Sequence, residues 1–323
     1  MIQVFTDPRC LAHSAPRGYP ERPDRLSGIV EHLRGRGWPF APALESELLE
    51  RARDAVVAVH DEGYVGRLQR AVERGDSLID SADNPLSPGT WEASWAAAGT
   101  VLAAADWVAG GDDRTAFAAV RPPGHHAERA TAMGFCFFNN IAVAAEHLRR
   151  RHGAERVAIF DFDVHHGNGT QHLFEERPDI FYASTHQYPF YPGTGAADET
   201  GIGAGEGATL NVPLRAGADD GIYNAAIESM ILPALEQFAP DVLLLSAGFD
   251  AWRNDPLGGM RVTEEGFRRW GDRLRALAAE VCGGRVLAVL EGGYDLAALP
   301  HLAEAHLEGL AGGSLGDGEQ RFL

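Results

Sequence analysis

The sequence predicts an α/β fold, a three-layer αβα arrangement with a mainly parallel central sheet. Three observations carry that expectation. Short apolar runs alternate with helical patterns along the 323-residue chain. Helical stretches stand between successive strand candidates, and a strand that returns parallel to its predecessor needs such a crossover, which places helices on both faces of the sheet. Ionisable clusters follow directly after four of the apolar runs. In an open parallel sheet the carboxyl ends of the strands share one edge, and ligands bind there.

In chain order the strand candidates are Ile2-Phe5, Ala116-Val120, Val157-Phe160, Ile180-Ala183, Leu210-Val212, Val242-Leu245 and Val286-Leu290. Each is a short apolar run, as a strand buried on both faces requires. The Ala-rich stretch Trp91 to Val108 predicts a largely buried helix. Helical patterns from Ile141 to Arg151, Asp220 to Phe238 and Glu264 to Val281 precede the third, sixth and seventh strands. Gly-rich stretches at 193–207 and 253–259 read as loops. With no internal repeat and no linker-like shift in composition, residues 1–323 are expected to form a single domain, with a frayed tail from about Gly312.

Composition narrows the function classes. Hydrophobic residues at 45% and charged residues at 23% are those of a globular protein. The sequence lacks an apolar run long enough to span a bilayer and a signal-peptide pattern, so no membrane association is expected. The three scattered cysteines, Cys10, Cys136 and Cys282, argue against a disulfide scaffold and for a reducing cytoplasmic setting. A formal net charge of -18 repels nucleic acid, so no direct binding to it is expected, and attracts cationic partners.

The densest chemistry lies in Asp161-Phe162-Asp163-Val164-His165-His166-Gly167-Asn168, directly after Val157-Phe160. In extended geometry alternate residues share a face, so Asp161, Asp163 and His165 would point one way. Carboxylates and an imidazole converging at the end of a buried strand suit zinc or a similar divalent ion. Three further clusters end strands: Arg121-Pro122-Pro123-Gly124-His125-His126, Ser246-Ala247-Gly248-Phe249-Asp250 and Glu291-Gly292-Gly293-Tyr294. Taken singly they could be a cap, a core imidazole or a packed ring. Four at one edge point to a single site.

These segments resemble the signatures of the histone deacetylase and acetylpolyamine amidohydrolase superfamily, whose fold is arginase-like. The matching stretches are RPPGHHA at 121–127, GFCFFNN at 134–140, DFDVHHGNGT at 161–170, PGTG at 192–195, SAGFDA at 246–251 and EGGYD at 291–295, with ERPDRL at 21–26 near the start. Asn168 stands where class I members carry Asp, so the chain looks like class II and its bacterial relatives.

The resemblance implies roles. Asp163, His165 and Asp250 correspond to three ligands of a catalytic Zn2+. His126 corresponds to the general base and acid, and His125 to an electrostatic partner. Asp161 would bond His125, and Asn168 would orient His126, although a neutral amide stabilises an imidazolium less than a carboxylate does. Tyr294 corresponds to the oxyanion donor. Gly134 and Phe135 match one wall of a substrate channel and Tyr191 the opposing wall, its added hydroxyl needing a partner. Gly293 falls in the same substrate-binding set, Arg25 matches a buried arginine below the metal, and Asp83 matches a rim acid. A structural K+ site is implied at Asp161, Asp163, His165, Ser184 and Thr185, and a second at Phe174, Arg177, Ile180 and Tyr223.

Leu257 falls at the position where relatives selective for acetylpolyamines carry a gatekeeper glutamate. It suits an extended acyl-lysine peptide, so the expected reaction is hydrolysis of N-acetyl-lysine amides on a peptide or protein, with small acetylated amines or polyamines as the alternative. A non-catalytic reader of acyl-lysine would not need Tyr294, His126 and a complete ligand triad. An arginase-type di-metal hydrolase would need further carboxylates where His125 and His126 stand.

Overall fold

The structure, a computed structural model, describes residues 1–44 and 46–313. Strand β1 (Ile2–Phe5) is followed by helices α1 (Pro23–Gly35), α2 (Ser46–Val59) and α3 (Glu62–Arg74), then by a short antiparallel hairpin, β2 (Leu78–Ile79) and β3 (Ser81–Pro85). Helix α4 (Thr90–Ala109) leads into β4 (Thr115–Ala118), α5 (Asn140–His152) into β5 (Val157–Asp161), and α6 (Asn168–Phe174) into β6 (Ile180–Gln187). Strand β7 (Thr209–Leu214) is followed by α7 (Asp220–Ala226), a π-helical turn (Ile227–Ile231) and α8 (Leu232–Phe238). Then come β8 (Val242–Ala247), α9 (Glu264–Val281), β9 (Val286–Leu290) and α10 (Leu299–Ala311).

Seven strands form one sheet in the order β1-β4-β9-β8-β5-β6-β7, and every pairing in it is parallel. Six of them contain an expected apolar run whole, whereas β4, expected over Ala116-Val120, spans Thr115–Ala118 and stops two residues earlier. β5, β8 and β9 are buried along their whole length, so their sequences carry no polar alternation. Helices α2, α4 and α5 pack on one another and on strands β4, β5, β8 and β9, whereas α1 and α9 each pack on α10 in a second group. The fold is α/β as expected, its sheet wholly parallel.

Local sequence explains the helix ends near the site. Helix α5 begins at Asn139, whose side-chain oxygen accepts from the Ala142 amide, and ends at left-handed Gly153. Pro233 lacks the amide that would continue the ladder of α7, and the segment from 220 to 238 passes through its π turn immediately before it. Helix α10 stops on left-handed Gly312, and the expected frayed tail falls, beyond Gly313, on residues 314–323, outside the described residues. Among the described residues no helix is long and apolar enough to cross a membrane.

The sheet order explains where the chemistry gathers. Strands β8 and β9 insert between β4 and β5, so β4, β9, β8 and β5 are lateral neighbours. These four strands are the ones followed by the ionisable clusters. Such an insertion is a topological switch point, where a crevice opens at the carboxyl edge.

Candidate metal centre and active site

Asp163 and His165, just past β5, meet Asp250, just past β8, as a cluster of possible metal ligands. His165 Nδ1 lies 3.1 Å from Asp163 Oδ1 and 3.2 Å from Asp250 Oδ2. Two donors on one zinc at about 2.0–2.1 Å stand roughly 3.3 Å apart in tetrahedral geometry, so the spacing fits a shared ion. The remaining oxygens are occupied from behind. Asp163 Oδ2 accepts from the Gly292 amide at 2.8 Å and Asp250 Oδ1 from the Val164 amide at 2.9 Å. Asp250 Oδ2 is buried with no hydrogen-bond partner, an orphan a cation would satisfy. Burial, then the charge of Asp163, raises the pKa of Asp250, a repulsion that a cation between the carboxylates would also relieve. A Cβ at Gly248 or Gly292 would overlap these carboxylates, so the ligand pair is packed against bare backbone.

Two other groups of histidines and carboxylates have a different geometry. Asp106 Oδ1 lies 2.6 Å from His147 Nε2 and 2.7 Å from His152 Nε2. Glu304 Oε2 lies 2.7 Å from His32 Nε2. These are direct hydrogen bonds, closer than co-ligands of one metal stand. Each carboxylate is also paired with an arginine, Arg51 or Arg36. They read as ion-pair networks between helices.

Beside the triad stand His125 and His126, with ring centroids 4.0 Å apart. The loop that carries them is fixed by Glu291, whose Oε2 accepts from the amides of Gly124 at 2.6 Å and His125 at 3.1 Å. His125 Nδ1 faces Asp161 Oδ2 at 3.0 Å, and His126 Nδ1 faces Asn168 Oδ1 at 2.7 Å. Asp161 thus supports His125, one layer behind the Asp163–His165–Asp250 cluster. The two imidazoles titrate apart. Burial pulls His125 down, but the Asp161 and Asp163 carboxylates outweigh it and hold the ring up at about 10. Burial, with His125 and His165 nearby, pushes His126 well below the ordinary imidazole value. Paired groups driven apart in this way can divide acid and base roles.

Tyr294 follows β9, with the Arg25 guanidinium 4.7 Å from its ring centre. Buried Arg25 donates to the carbonyls of Gly293 at 2.6 Å and Glu291 at 2.5 Å, tying α1 to the end of β9. Phe135 lies edge-on to Tyr294 at 5.9 Å. Gly134 and Phe135 both adopt left-handed backbone, φ 56° and 70°. Gly134 is required twice over, since a Cβ there would also meet the His126 ring. A phenylalanine in this region is strained and must be held. Asn84 Oδ1 accepts from the Phe135 amide at 2.9 Å and Asp83 Oδ2 from the Gly134 amide at 3.1 Å.

Tyr191 lies edge-on to His126 at 5.2 Å, and its hydroxyl finds its partner in Asp83 Oδ2 at 2.8 Å. Asp83 therefore bridges the Gly134 amide and the Tyr191 hydroxyl. Leu257 is half-buried. Its amide donates to Asp255 Oδ1 at 2.8 Å, and Asp255 Oδ2 accepts from the Tyr294 amide at 2.7 Å, so one carboxylate ties the gate position to the tyrosine.

The residues expected at the K+ sites are placed as follows. Asp161 and Ser184 are register partners across β5 and β6, with Thr185 next in β6. Thr185 Oγ1 is buried without a partner, whereas Ser184 Oγ bonds His186 Nδ1 at 2.9 Å. Phe174, Arg177 and Ile180 line the short connection from α6 to β6, with the Arg177 amide donating to the Phe174 carbonyl at 2.8 Å. Tyr223 lies in α7, stacked 5.0 Å from Trp270.

Several contributors were not anticipated. Phe190 stacks on His165 at 5.4 Å and Tyr19 packs edge-on to Phe135 at 5.3 Å. Asn84, Glu128 and the Glu291 carboxylate support the site from behind. Of these, Phe190 had a local signal in the aromatic run that ends at Tyr191, and Glu291 in the cluster that follows β9, though not for its bracing of the His125 loop.

With this geometry in hand, the comparisons agree. Residues 19–310 match the histone deacetylase domain family. The chain is 40% identical over 313 residues to histone deacetylase 14, chloroplastic, of Arabidopsis thaliana, covering 92% of this chain and 73% of that protein. It is 40% identical over 288 residues to a histone deacetylase-like amidohydrolase of Pseudomonas aeruginosa, covering 89% and 73%. A solved acetylpolyamine aminohydrolase from Burkholderia pseudomallei superposes with a TM-score of 0.86 at 33% identity, covering 96% of this chain and 98% of that one. The chain belongs to the histone deacetylase family.

Proposed function

We propose that this protein is a zinc-dependent deacetylase that hydrolyses the N-acetyl amide of lysine side chains. The observation that carries the proposal is the Asp163–His165–Asp250 cluster beside two histidines that are each held by a partner of their own, Asp161 or Asn168. A zinc ion held by these three residues would lower the pKa of water and polarise the amide carbonyl. The chain's own groups supply the rest. His126, kept neutral with its Nδ1 on Asn168, accepts the proton of the attacking water at Nε2 and returns it to the leaving amine. Charged His125 and the hydroxyl of Tyr294 stabilise the negative charge that develops on the carbonyl oxygen. Phe135 and Tyr191 offer aromatic faces to the lysine methylenes, and Gly134 and Gly293 leave room along the channel.

A second reading, hydrolysis of acetylated polyamines, is favoured by the likeness to the Burkholderia enzyme over nearly its whole length. Leu257 at the mouth argues for the peptide, because it cannot attract a distal ammonium. We further propose one catalytic domain over the whole chain. K+ is proposed to be bound by Asp161, Asp163, His165, Ser184 and Thr185, and more peripherally around Phe174, Arg177, Ile180 and Tyr223. A reducing cytoplasmic location is proposed from the three buried free cysteines. The test combines metal analysis with turnover of acetyl-lysine peptides and acetylpolyamines. Wild type is expected to hold about one zinc per chain, and Asp163→Ala or Asp250→Ala to lose both metal and activity, because two remaining ligands hold zinc poorly. Full activity of metal-free protein refutes the proposal.

A further inference from the structure

We infer that Glu128 is a positioning residue for His126, acting through Asn168 to supply the orientation and charge that a direct aspartate would give. The inference rests on the deacetylase reading above. Asn168 lies between two groups: its Oδ1 is 2.7 Å from His126 Nδ1 and its Nδ2 is 2.5 Å from Glu128 Oε1. A carboxylate only accepts, so the amide must turn its NH2 towards Glu128. Its carbonyl oxygen then faces His126, whose Nδ1 must carry the proton. Nε2 is left unprotonated, the form a general base needs. An asparagine without this partner could turn over, present its NH2 to the ring and select the opposite tautomer. With Glu128 in place, that flip would set amide oxygen against carboxylate oxygen.

The carboxylate is itself held. His172 Nδ1 reaches the same Oε1 at 2.8 Å, and this hydrogen bond raises the His172 pKa. The Glu128 carbonyl accepts from His60 Nδ1 at 2.9 Å. The Glu128 side chain is only 24% exposed, so its charge is partly shielded from solvent screening. Glu128 is thus a held carboxylate placed one amide away from His126, where a direct aspartate would stand against the ring.

The experiment is a charge exchange at 128 and 168, read as kcat and KM on an acetyl-lysine peptide, with zinc content and melting temperature as controls. Glu128→Gln is expected to lower kcat about tenfold or more with KM little changed, in the range typical for partners that orient a functional histidine. Asn168→Asp should restore kcat to within a few-fold in the Glu128→Gln background, where the charge now sits directly on His126. In the wild-type background the same change sets two carboxylates in contact and should lower kcat. This reversal of sign is not what a merely structural role produces. An unchanged kcat in Glu128→Gln, or no rescue by Asn168→Asp in that background, overturns the inference. A wild type without deacetylase activity would instead refute the proposed function, and that outcome is visible before any variant is made.

Discussion

Replacing Tyr294 with phenylalanine separates the hydroxyl to which the proposed function gives the oxyanion role from the ring that carries it. The ring has structural partners: the Arg25 guanidinium at 4.7 Å and Phe135 at 5.9 Å. Arg25 is held independently, through the carbonyls of Gly293 and Glu291. Phenylalanine keeps the aromatic face, and with it a cation–π contact of about 0.5–2 kcal/mol. The backbone amide of residue 294 still donates to Asp255. Stability should therefore change by less than about 1 kcal/mol, and the ligands Asp163, His165 and Asp250 are untouched. What is lost is one donor to the developing oxyanion, which costs roughly 100- to 1000-fold in kcat, or about 2.7–4 kcal/mol of barrier. KM should stay nearly constant, because the donor acts on charge that exists only in the transition state. The assay is steady-state hydrolysis of an acetyl-lysine peptide, with metal content and melting temperature measured on the same preparation. A kcat within a few-fold of wild type would refute the oxyanion role. A loss of metal or stability would show that the hydroxyl also holds the site together.

Other expectations are as direct. Leu257→Glu should shift preference from acetyl-lysine peptide towards an acetylpolyamine by roughly 5- to 150-fold in relative kcat/KM, the worth of a carboxylate facing an ammonium in a partly desolvated mouth; an unshifted ratio removes Leu257 as the gate. Asn84→Ala deletes the acceptor that holds the Phe135 amide at 2.9 Å, and should cost about 1–3 kcal/mol in denaturant-measured stability and raise KM as the strained wall relaxes. His13, His60, His186 and His306 are buried, and burial holds each down at about 4. The unfolded chain binds their protons below about pH 6.5 while the folded chain does not, so stability is full above that pH and falls as pH drops towards 4, by on the order of 3 kcal/mol for each group. A melting temperature that is flat from pH 7 to 4 would contradict this.

The seven strands were legible because the central ones are buried on both faces and so carry apolar runs, as in Leu243, Leu244 and Leu245 of β8. The hairpin β2–β3 was not, because Ser81-Ala82-Asp83-Asn84-Pro85 is too polar to read as a strand. Helices α1, α3 and α10 were not singled out either, their surfaces being shared between core, solvent and buried charges such as Arg25 and Glu304. In the site, the groups at strand ends stood out because acids and imidazoles contrast with the apolar runs that deliver them. Their supports did not. Asn84 and Asp83 reach Phe135 and Gly134 across 51 positions of chain, and Glu128 reaches Asn168 across 40. Such pairings are decided by how the loops cross, which no local pattern records.

The insertion of β8 and β9 between β4 and β5 has a consequence for biosynthesis. Asp163 and His165 leave the ribosome well before Asp250, and the Gly292 amide that holds Asp163 Oδ2 lies 129 positions further on. At about 5–20 residues per second, roughly 6–26 s pass before that last support is made. The edge of β5 has no neighbour until β8 is made, and the edge of β8 none until β9 follows, so under the proposed function the early ligands can grip an ion only weakly. Firm metal capture is thus postponed until the chain is nearly finished, and a nascent chain stalled before β9 should be released without metal.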